Sequence, residues 1–366
     1  MSSKSMSGKA ALVCGAGGFI GHHLVKRLKR EDFWVRGADL KFPRFSETEA
    51  DDFMIGDLRD PYFVPHVIDR RFDEIYQLAA DMGGAGYIFT GEHDADVMHN
   101  SASINLNIVH AAHTRNNKRI FYSPSACMYP EYNQLDPDNP NCAVRRPIRL
   151  HRTASTDGRS FSANASTSRM AAITAWKFEL RYHNIFGPEG SWNDGREKAP
   201  AAVCRKAAMA SNGAEIEIWG DGKQTRSFLY IDECLEGTLR LMRSEFTGPI
   251  NIGSDEMVTI DQLVDIVAGI AGKTIEKRHI DGRTGVRGRN SDNRLIREKL
   301  KWSPSTVLVD GLRPTYAWIS GQVLRNARSN GEALQVSAAV SKPKTHERGS
   351  MVAGERVRAA RQDAMQ

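Results

Sequence analysis

The sequence predicts an α/β fold with a doubly wound parallel sheet. Three observations lead to this class: an apolar run that enters a glycine cluster near the N-terminus, a second strand that ends in an acid, and later apolar runs separated by helical segments. The chain has 366 residues, of which 40% are hydrophobic. That length suffices for one large or two small domains with a substantial core.

The first element is a strand that turns sharply into a helix. Residues 10–14 form an apolar β-type run, and helical apolar spacing begins near residue 24. Between them lie Gly15, Gly18 and Gly21 in GxxGxxG spacing. The three positions suit a tight turn, a close backbone approach to a pyrophosphate, and close packing of helix on strand. The pattern predicts a Rossmann-type dinucleotide site; the alternative is an ordinary glycine-rich turn of another α/β protein.

The next strands supply polar groups to that site. Residues 34–39 read as a strand ending in Asp39, whose carboxylate suits a ribose diol. Residues 52–58 predict a short strand closing on Asp57, placed to approach the adenine edge or to cap the next helix. Residues 74–80 predict another buried strand, and the glycines after it suit either a ligand or a flexible loop. The predicted NAD-binding set is Gly15, Gly18, Phe19, Ile20, Gly21, Asp39, Asp57, Leu58 and Ala79.

A fifth predicted strand opens into a segment rich in reactive side chains. Residues 100–116 have helical spacing, and residues 119–123 form the following strand. The carboxyl ends of parallel strands line the ligand crevice. Ser125 and Cys127 therefore lie where chemistry is expected, although a lone cysteine after a strand is more often inert packing.

The C-terminal part continues the α/β pattern and then loses it. Residues 215–219 alternate like a half-buried strand, and residues 232–243, 260–271 and 313–324 read as helices. Residues 325–366 are rich in Ser, Ala, Lys and Arg without sustained periodicity, so we expect a disordered tail. At the other end, residues 1–8 form a polar leader.

Composition narrows the class of protein further. No apolar run approaches the ~20 residues that a membrane helix needs, and the leader lacks a signal-peptide core. We therefore expect a cytoplasmic protein that does not bind membranes. The five cysteines lack metal-type spacing, which argues against zinc or disulfide scaffolding and predicts no metal site.

The basic balance does not predict a nucleic-acid partner. The net charge of +6 is concentrated in residues 323–366, which carry +4, and residues 144–180, which carry +5, so the rest of the chain is at −3. A solvated tail explains this distribution better than a binding face, because no basic stripe with interleaved aromatic residues is present.

From about residue 10 to residue 320, the chain resembles the extended short-chain dehydrogenase/reductase superfamily, in its NAD-dependent nucleotide-sugar epimerase/dehydratase branch. Several of the matching runs are far more specific than the glycine motif. Besides residues 15–21, they are LAADMGGAG (78–86), SACMYPE (125–131), YHNIFGP (182–188), GREKAPAAVCRK (195–206), WGDGKQTRSFLYIDEC (219–234), NIGSDEMV (251–258) and GVRGRNSDN (285–293).

The resemblance implies an architecture and a substrate. An NAD-binding Rossmann domain would span residues 9–185, and a smaller C-terminal α/β domain, mainly residues 186–324, would bind the substrate. The protein would be a homodimer acting on a nucleotide sugar, GDP-mannose above all. The sugar would be oxidised transiently at C4 and would exchange protons at C3 and C5.

The resemblance also implies roles for individual residues. Cys127 and Lys198 would form the acid/base pair, and Ser125 would hydrogen-bond the C4 oxygen. For Lys198 the alternative is a solvated surface charge, and for Arg287 and Arg289 a loop salt bridge. The implied substrate-binding set is Gly84, Ser125, Asn184, Glu197, Ala199, Lys206, Gln224, Arg226 and Arg289. A 4-epimerase or 4,6-dehydratase is the alternative enzyme. The Cys127 and Lys198 pair favours proton exchange at C3 and C5, since a simple 4-epimerase needs no second acid/base pair.

The sequence departs from the family at residues 144–180. Members carry Tyr-x-x-x-Lys there, in which the lysine lowers the tyrosine pKa so that the phenolate can accept the C4 hydroxyl proton. This chain has no tyrosine between Tyr132 and Tyr182.

Back-translation suggests a cause for that departure. An alternate reading frame of residues 155–167 permits a peptide that contains Tyr-x-x-x-Lys, and the original frame returns near Arg181. The hypothesis is a pair of compensating frameshifts; the alternative is a divergent loop. Either way, we expect weak or no epimerase activity from the chain as written, which would leave a sugar-nucleotide-binding remnant.

Overall fold

The computed structural model describes residues 8–81, 94–123, 134–138, 177–282 and 286–329. The strands are β1 (Ala10–Cys14), β2 (Trp34–Asp39), β3 (Asp52–Ile55), β4 (Glu74–Gln77), β5 (Ile120–Tyr122), β6 (Lys177–Tyr182), β7 (Ile185–Phe186), β8 (Ala214–Trp219), β9 (Thr225–Ser227), β10 (Leu229–Tyr230), β11 (Pro249–Ile252), β12 (Met257–Thr259), β13 (Ile275–Ile280) and β14 (Gly288–Arg289). The helices are α1 (Phe19–Arg30), α2 (Val64–Val67), α3 (Asp94–Thr114), α4 (Ala199–Met209), α5 (Ile231–Met242), α6 (Ile260–Ala271), α7 (Arg294–Leu300) and α8 (Leu308–Ser329).

A seven-stranded parallel sheet organises the chain. Its order is β11-β6-β5-β4-β1-β2-β3, and every neighbouring pair runs parallel. The order reverses between β1 and β4, because β2 and β3 follow on one side of β1 while β4, β5 and β6 follow on the other. A ligand crevice forms at such a reversal, outside the carboxyl ends of the strands.

Both faces of this sheet are buried, as the alternation along β1 requires. Ala11 and Val13 join the core beneath α1 and α5, whereas Leu12 and Cys14 join the core beneath α2 and α3. All five residues of β1 are buried. Helices cover the sheet on both sides, so the predicted doubly wound α/β class is confirmed.

The later part of the chain builds a second layered region. Helices α4, α6 and α8 pack with β8 around their own apolar core, which includes Cys204, Ile218, Leu263 and Leu312. Three smaller sheets accompany it, ordered β12-β9-β14, β13-β8 and β10-β7. The strand β11 belongs to the large sheet, so the chain returns there after forming β8–β10.

Several predicted elements keep their bounds. Strand β2 and helix α6 coincide with their predicted ranges. Helix α6 begins at a capping box between Thr259 and Gln262 and ends at Gly272 in the left-handed region. The expected tail needs one correction: α8 runs to Ser329, so the first residues of the predicted disordered segment are helical. Residues 1–7 and 330–366 lie outside the described residues.

Candidate functional site

The glycine turn after β1 is locked by backbone contacts. Gly15 has φ +83°, a conformation that favours glycine, and its N–H donates to the Ala38 carbonyl at 2.8 Å. A Cβ at Gly15 would lie 2.7 Å from the Ala79 nitrogen, and a Cβ at Gly21 would lie 2.1 Å from the Gly15 carbonyl oxygen. The turn, the start of α1 and the end of β4 therefore meet without room for side chains.

Gly17 is a further glycine of this turn, and the sequence prediction omitted it. A Cβ there would lie 2.1 Å from the Lys41 carbonyl oxygen and 3.1 Å from Cγ of Asp39. The Gly17 N–H donates to Asp39 Oδ2 at 2.9 Å. The GxxGxxG spacing gave no signal for this position, because its neighbour is the loop after β2 and the contact is distant in sequence.

The Asp39 carboxylate lies at the carboxyl end of β2, against the glycine turn. Its Oδ2 accepts from Gly17, and its Oδ1 accepts from the Lys41 N–H at 3.3 Å. Burial raises the pKa of Asp39, and these two backbone donors oppose the shift. A carboxylate held in this way keeps acceptor capacity for a pair of ribose hydroxyls.

The start of α1 carries groups that suit an anion. Gly18 is the N-cap and contributes no side-chain cap. Phe19 and Ile20 occupy the first helical positions, whose N–H groups have no carbonyl one turn earlier to bond. Together with Gly15 and Asp39, they supply free amides, a positive helix end and a buried acceptor, which are the groups that the pyrophosphate and ribose of NAD need. The residues present fit that cofactor.

Of the two expectations for the Asp57 carboxylate, the structure contradicts the helix cap. Asp57 pairs with Arg59 at 2.6 Å, which holds the pKa of Asp57 below its usual value. The N-cap of α2 is Phe63, so Asp57 does not cap that helix. Arg59 also donates to Asn100 Oδ1 at 2.9 Å, and Leu58 between them is buried.

The predicted substrate arginines lie side by side on β9 and β14. The register pairs Arg226 with Arg289. Arg226 donates to the Thr225 carbonyl at 2.7 Å and to the Val286 carbonyl at 2.6 Å. Arg289 is buried, and its Nε donates to Oε1 of the buried Gln134 at 2.5 Å. Both guanidinium groups are thus held in fixed positions.

Gln224 and Asn184 lie beside the same strand. The Gln224 amide donates to the Trp219 carbonyl at 3.0 Å, while its buried Oε1 has no partner among the described residues. Asn184 has φ +45° and donates from Nδ2 to the Ser227 carbonyl at 2.9 Å. Since Asn184 follows β6, this bond fixes β9 at the carboxyl edge of the large sheet, the edge that also carries the glycine turn.

Glu197, Lys198 and Ala199 form the entrance to α4. Lys198 is the N-cap residue with φ −79° and ψ 160°, and its side chain is exposed and makes no cap hydrogen bond. Ala199 is the first helical residue. Glu197 accepts from Arg205 at 2.9 Å. The exposed Lys198 ammonium fits both the acid/base role and the alternative of a solvated charge.

Lys206 makes a contact that the sequence did not predict. Its Nζ donates to the Glu217 carbonyl at 2.5 Å, which joins α4 to β8. Burial lowers the pKa of Lys206. Arg287 pairs with Asp221 at 3.1 Å, which is the loop salt bridge considered for it. The Arg289 Nε donates to the neutral Gln134.

Four predicted features lie outside the described residues. These are Gly84, Ser125, Cys127 and the anomalous segment through residue 176. The structure brings together Gly15, Gly17, Gly21, Asp39 and Ala79. At the same sheet edge it places Asn184 beside β9, which pairs with β14.

A polar cluster between α1 and the loop after β7 also escaped sequence analysis. His22 Nε2 lies 2.8 Å from Ser46 Oγ and 3.2 Å from Glu189 Oε2, and Lys26 donates to Glu189 at 2.8 Å. Glu189 has φ +60°. Burial lowers the pKa of His22 to about 4. No short motif marks these residues, since they meet only through the fold.

The described ranges carry neither a membrane-spanning helix nor a cluster of metal ligands. No helix in those ranges combines the length and the apolar character that crossing a bilayer demands. Nor do three or more His, Cys, Asp or Glu side chains of this part of the chain gather into a group that would hold a metal ion.

Known proteins are similar to this chain in sequence and in fold. Residues 11–253 match the NAD dependent epimerase/dehydratase family. A GDP-mannose 3,5-epimerase of Arabidopsis thaliana is 42% identical over 322 residues, covering 85% of this chain and 82% of that protein. An enzyme of the same description from Oryza sativa subsp. indica is 40% identical over 327 residues, with 85% and 82% coverage.

The fold is similar to that of solved sugar-nucleotide enzymes. A UDP-glucose 4-epimerase of Thermotoga maritima superposes with a TM-score of 0.73 at 22% identity, covering 86% of this chain and 99% of that one. At this identity the likeness establishes the fold alone. The family match and the two relatives go further: the chain belongs to the NAD-dependent epimerase/dehydratase family.

Proposed function

We propose that the protein is a GDP-mannose 3,5-epimerase. The observation that carries this proposal is the 42% identity over 322 residues to the Arabidopsis thaliana enzyme of that name. The site residues support it independently of the name, because they combine a dinucleotide cradle with a pair of arginines at one edge of the sheet.

The arginine pair suits a nucleoside diphosphate. Arg226 and Arg289 stand on adjacent parallel strands, so an anion bound between or above them would be attracted by two positive charges. The guanidinium fork matches phosphate oxygens in geometry. If a diphosphate bound here, the attached sugar would lie near other side chains at the same edge of the sheet. One of these is Gln224, whose buried amide oxygen can accept a hydrogen bond from a sugar hydroxyl.

The chemistry divides between the cofactor and the side chains. Bound NAD supplies reversible removal of hydride from C4 of the sugar. A carbonyl at C4 makes the protons on C3 and C5 acidic. We assign Cys127 and Lys198 to these protons: one takes a proton from one face, and the other returns a proton to the opposite face. Ser125 would hydrogen-bond the C4 oxygen.

The remaining substrate residues would orient the sugar nucleotide. Glu197 can accept hydroxyl hydrogens but would repel phosphate, so it belongs near the sugar. Lys206 already donates to the Glu217 carbonyl and would have to release or share that bond. The other members of the proposed set are Gly84, Asn184, Ala199 and Gln224.

Solvent-exchange labelling tests the proposal. Protein carrying Tyr-x-x-x-Lys in residues 144–180, read from the alternate frame, is incubated with GDP-mannose in deuterated water. Deuterium at both C3 and C5 with new epimers is the expected result. Inversion at C4 without deuterium at C3 or C5 would favour a 4-epimerase, and loss of water with a deoxy product would favour a 4,6-dehydratase.

A second candidate function is a catalytically impaired sugar-nucleotide binder. The specific observation in its favour is the absence of tyrosine between Tyr132 and Tyr182. Such a protein would bind NAD and GDP-mannose with micromolar affinity or better, yet leave the sugar unlabelled. Sequencing the gene decides between the frameshift and a divergent loop, since only the former encodes the motif in another frame.

The proposal extends to assembly and location. We assign the protein a homodimeric state in the cytoplasm. Light scattering on the eluting protein would give twice the chain mass of 40.7 kDa. Fractionation of cells expressing the full chain would place it with cytoplasmic markers.

A further inference from the structure

Arg205, in α4, makes two hydrogen bonds to the loop of residues 187–198 that precedes this helix. Its Nε donates to the Trp192 carbonyl at 2.9 Å, and its Nη2 donates to Glu197 Oε1 at 2.9 Å. Trp192 is buried and belongs to the apolar core around α4, α6 and α8. The guanidinium therefore ties the far end of the loop to the carboxylate that immediately precedes Lys198.

The two carboxylate oxygens of Glu197 differ in their hydrogen bonding. Its side chain is only 10% exposed. Oε1 receives the Arg205 bond, whereas the buried Oε2 has no hydrogen-bond partner among the described residues. A buried charged oxygen without a partner costs free energy. It is therefore a site that a donor from outside the described residues would stabilise.

We propose that Arg205 is a positioning residue that holds Glu197 so that Oε2 accepts a hydrogen bond from a hydroxyl of the bound sugar. This inference rests on the proposed function, because it takes GDP-mannose as the ligand. A carboxylate oxygen does not bind a diphosphate, whose charge it would repel. The adjacent Lys198 is the residue assigned to proton exchange on the sugar, so the neighbouring oxygen belongs to the sugar as well.

The geometry separates this role from a purely structural one. A structural staple would hold α4 and the loop together, and its removal would weaken every ligand equally. A positioning role acts through Glu197 alone, because only that contact touches the ligand. The effect of changing Arg205 should then depend on the sugar and should vanish when the Glu197 carboxylate is already neutralised.

Calorimetric titration of the NAD-loaded full chain with GDP-mannose and, separately, with GDP makes the test. The variants are Arg205→Met, Glu197→Gln, the double variant, and Arg205→Lys as a milder change if Arg205→Met does not fold. Arg240→Met is the matched control, since Arg240 forms an exposed pair with Glu236 on α5 at 2.7 Å. The melting temperature of each variant is recorded.

Arg205→Met should weaken GDP-mannose binding about tenfold or more, the effect of losing one charge-assisted hydrogen bond. GDP binding should change by less than about twofold, and Arg240→Met should alter neither. In the Glu197→Gln background, Arg205→Met should add less than about twofold. Arg205→Lys should lie between the wild type and Arg205→Met.

Three results would overturn the inference. Equal weakening of GDP and GDP-mannose would make Arg205 a structural staple. Multiplicative effects of the two substitutions would show that Arg205 does not act through Glu197. Unchanged GDP-mannose affinity in folded Arg205→Met would remove the role outright. If the unaltered chain bound GDP and GDP-mannose with equal affinity, the proposed function itself would be contradicted, and this inference with it.

Discussion

Arg226 and Arg289 are register partners on the adjacent parallel strands β9 and β14. Paired side chains on neighbouring strands leave the sheet on the same face. The two cations are therefore held together by backbone pairing, and Gln134 fixes the second at Nε. The proposed diphosphate role assigned to these two arginines relies on this pairing.

Removing the buried member of this pair should weaken nucleotide binding. Arg289→Met should reduce the affinity for GDP about tenfold or more, because charge-assisted hydrogen bonds contribute about 1.5–3 kcal/mol. Arg287→Met is the control: its side chain is 40% exposed and pairs with Asp221, so GDP affinity should stay within about twofold. Calorimetry gives both values. Equal losses in the two variants would remove the diphosphate role from Arg289.

The part of the site that the sequence predicted is the part that local pattern determines. The strand bounds Trp34–Asp39, the glycine spacing from Gly15 to Gly21, and the acid at Asp39 all lie within one βαβ unit. Within such a unit, periodicity and turn chemistry act over a few residues. The structure confirms the fold class for this reason.

The parts that escaped prediction depend on contacts between distant residues. Gly17 needs to be glycine only because the loop after β2 returns to it. Strand β14 has two residues and no periodicity of its own. Glu189 meets Lys26 across 163 positions. Pairing of this kind is set by tertiary packing, and a single sequence carries no signal for it.

Adding one methyl group to the glycine turn should remove the cofactor. In Gly21→Ala the new Cβ would lie 2.1 Å from the Gly15 carbonyl oxygen, so α1 must move away from β1. We expect loss of NAD, measured by absorbance of the released cofactor, and a lower melting temperature. Gly269→Ala is the control. It lies in α6 with open space around it, and alanine there should stabilise the chain by about 0.5–1 kcal/mol. Retained NAD in Gly21→Ala would contradict the packing role.

Lys198 can be tested without disturbing its helix. It is the N-cap of α4 but makes no side-chain cap bond and is exposed, so Lys198→Met should leave the melting temperature nearly unchanged. In frame-corrected protein, epimer formation should fall about 10²- to 10⁴-fold, as for loss of a general acid or base. NAD content should not change. Product analysis by NMR makes the measurement, and a loss below about tenfold would return Lys198 to the role of a surface charge.

The buried His22 should make the fold sensitive to acid. Burial lowers the pKa of His22 from 6.5 to about 4, and the positive charge of Lys26 contributes to the shift. Between those values the unfolded chain binds more protons than the folded one. The contribution of His22 to the free energy of unfolding is therefore fully present above pH 6.5. It falls as the pH drops toward 4, by at most about 1.4 kcal/mol per pH unit.

A His22→Gln variant isolates that contribution. Glutamine can still bond Ser46 or Glu189 but does not titrate, so the loss of unfolding free energy between pH 7 and pH 5 should be smaller than in the wild type. Some dependence should remain, because burial also lowers the pKa of His183, to about 3. Urea unfolding at several pH values measures the slope. An identical slope in both proteins would show that His22 does not contribute.

The chain as written should bind its ligands and fail to turn them over. Strand β6 (Lys177–Tyr182) begins within the last residues of the anomalous segment and pairs with β5 and β11, so the large sheet continues on both sides of residues 144–176. The NAD cradle and the β9–β14 arginines do not depend on that segment for their described contacts. We therefore expect protein of this sequence, verified by mass spectrometry, to retain NAD and to bind GDP-mannose.

Without the tyrosine that accepts the C4 hydroxyl proton, turnover should be about 10²- to 10⁴-fold below that of the frame-corrected protein. Equal rates in the two proteins would mean that another residue performs that proton transfer, and the frameshift hypothesis would lose its functional support.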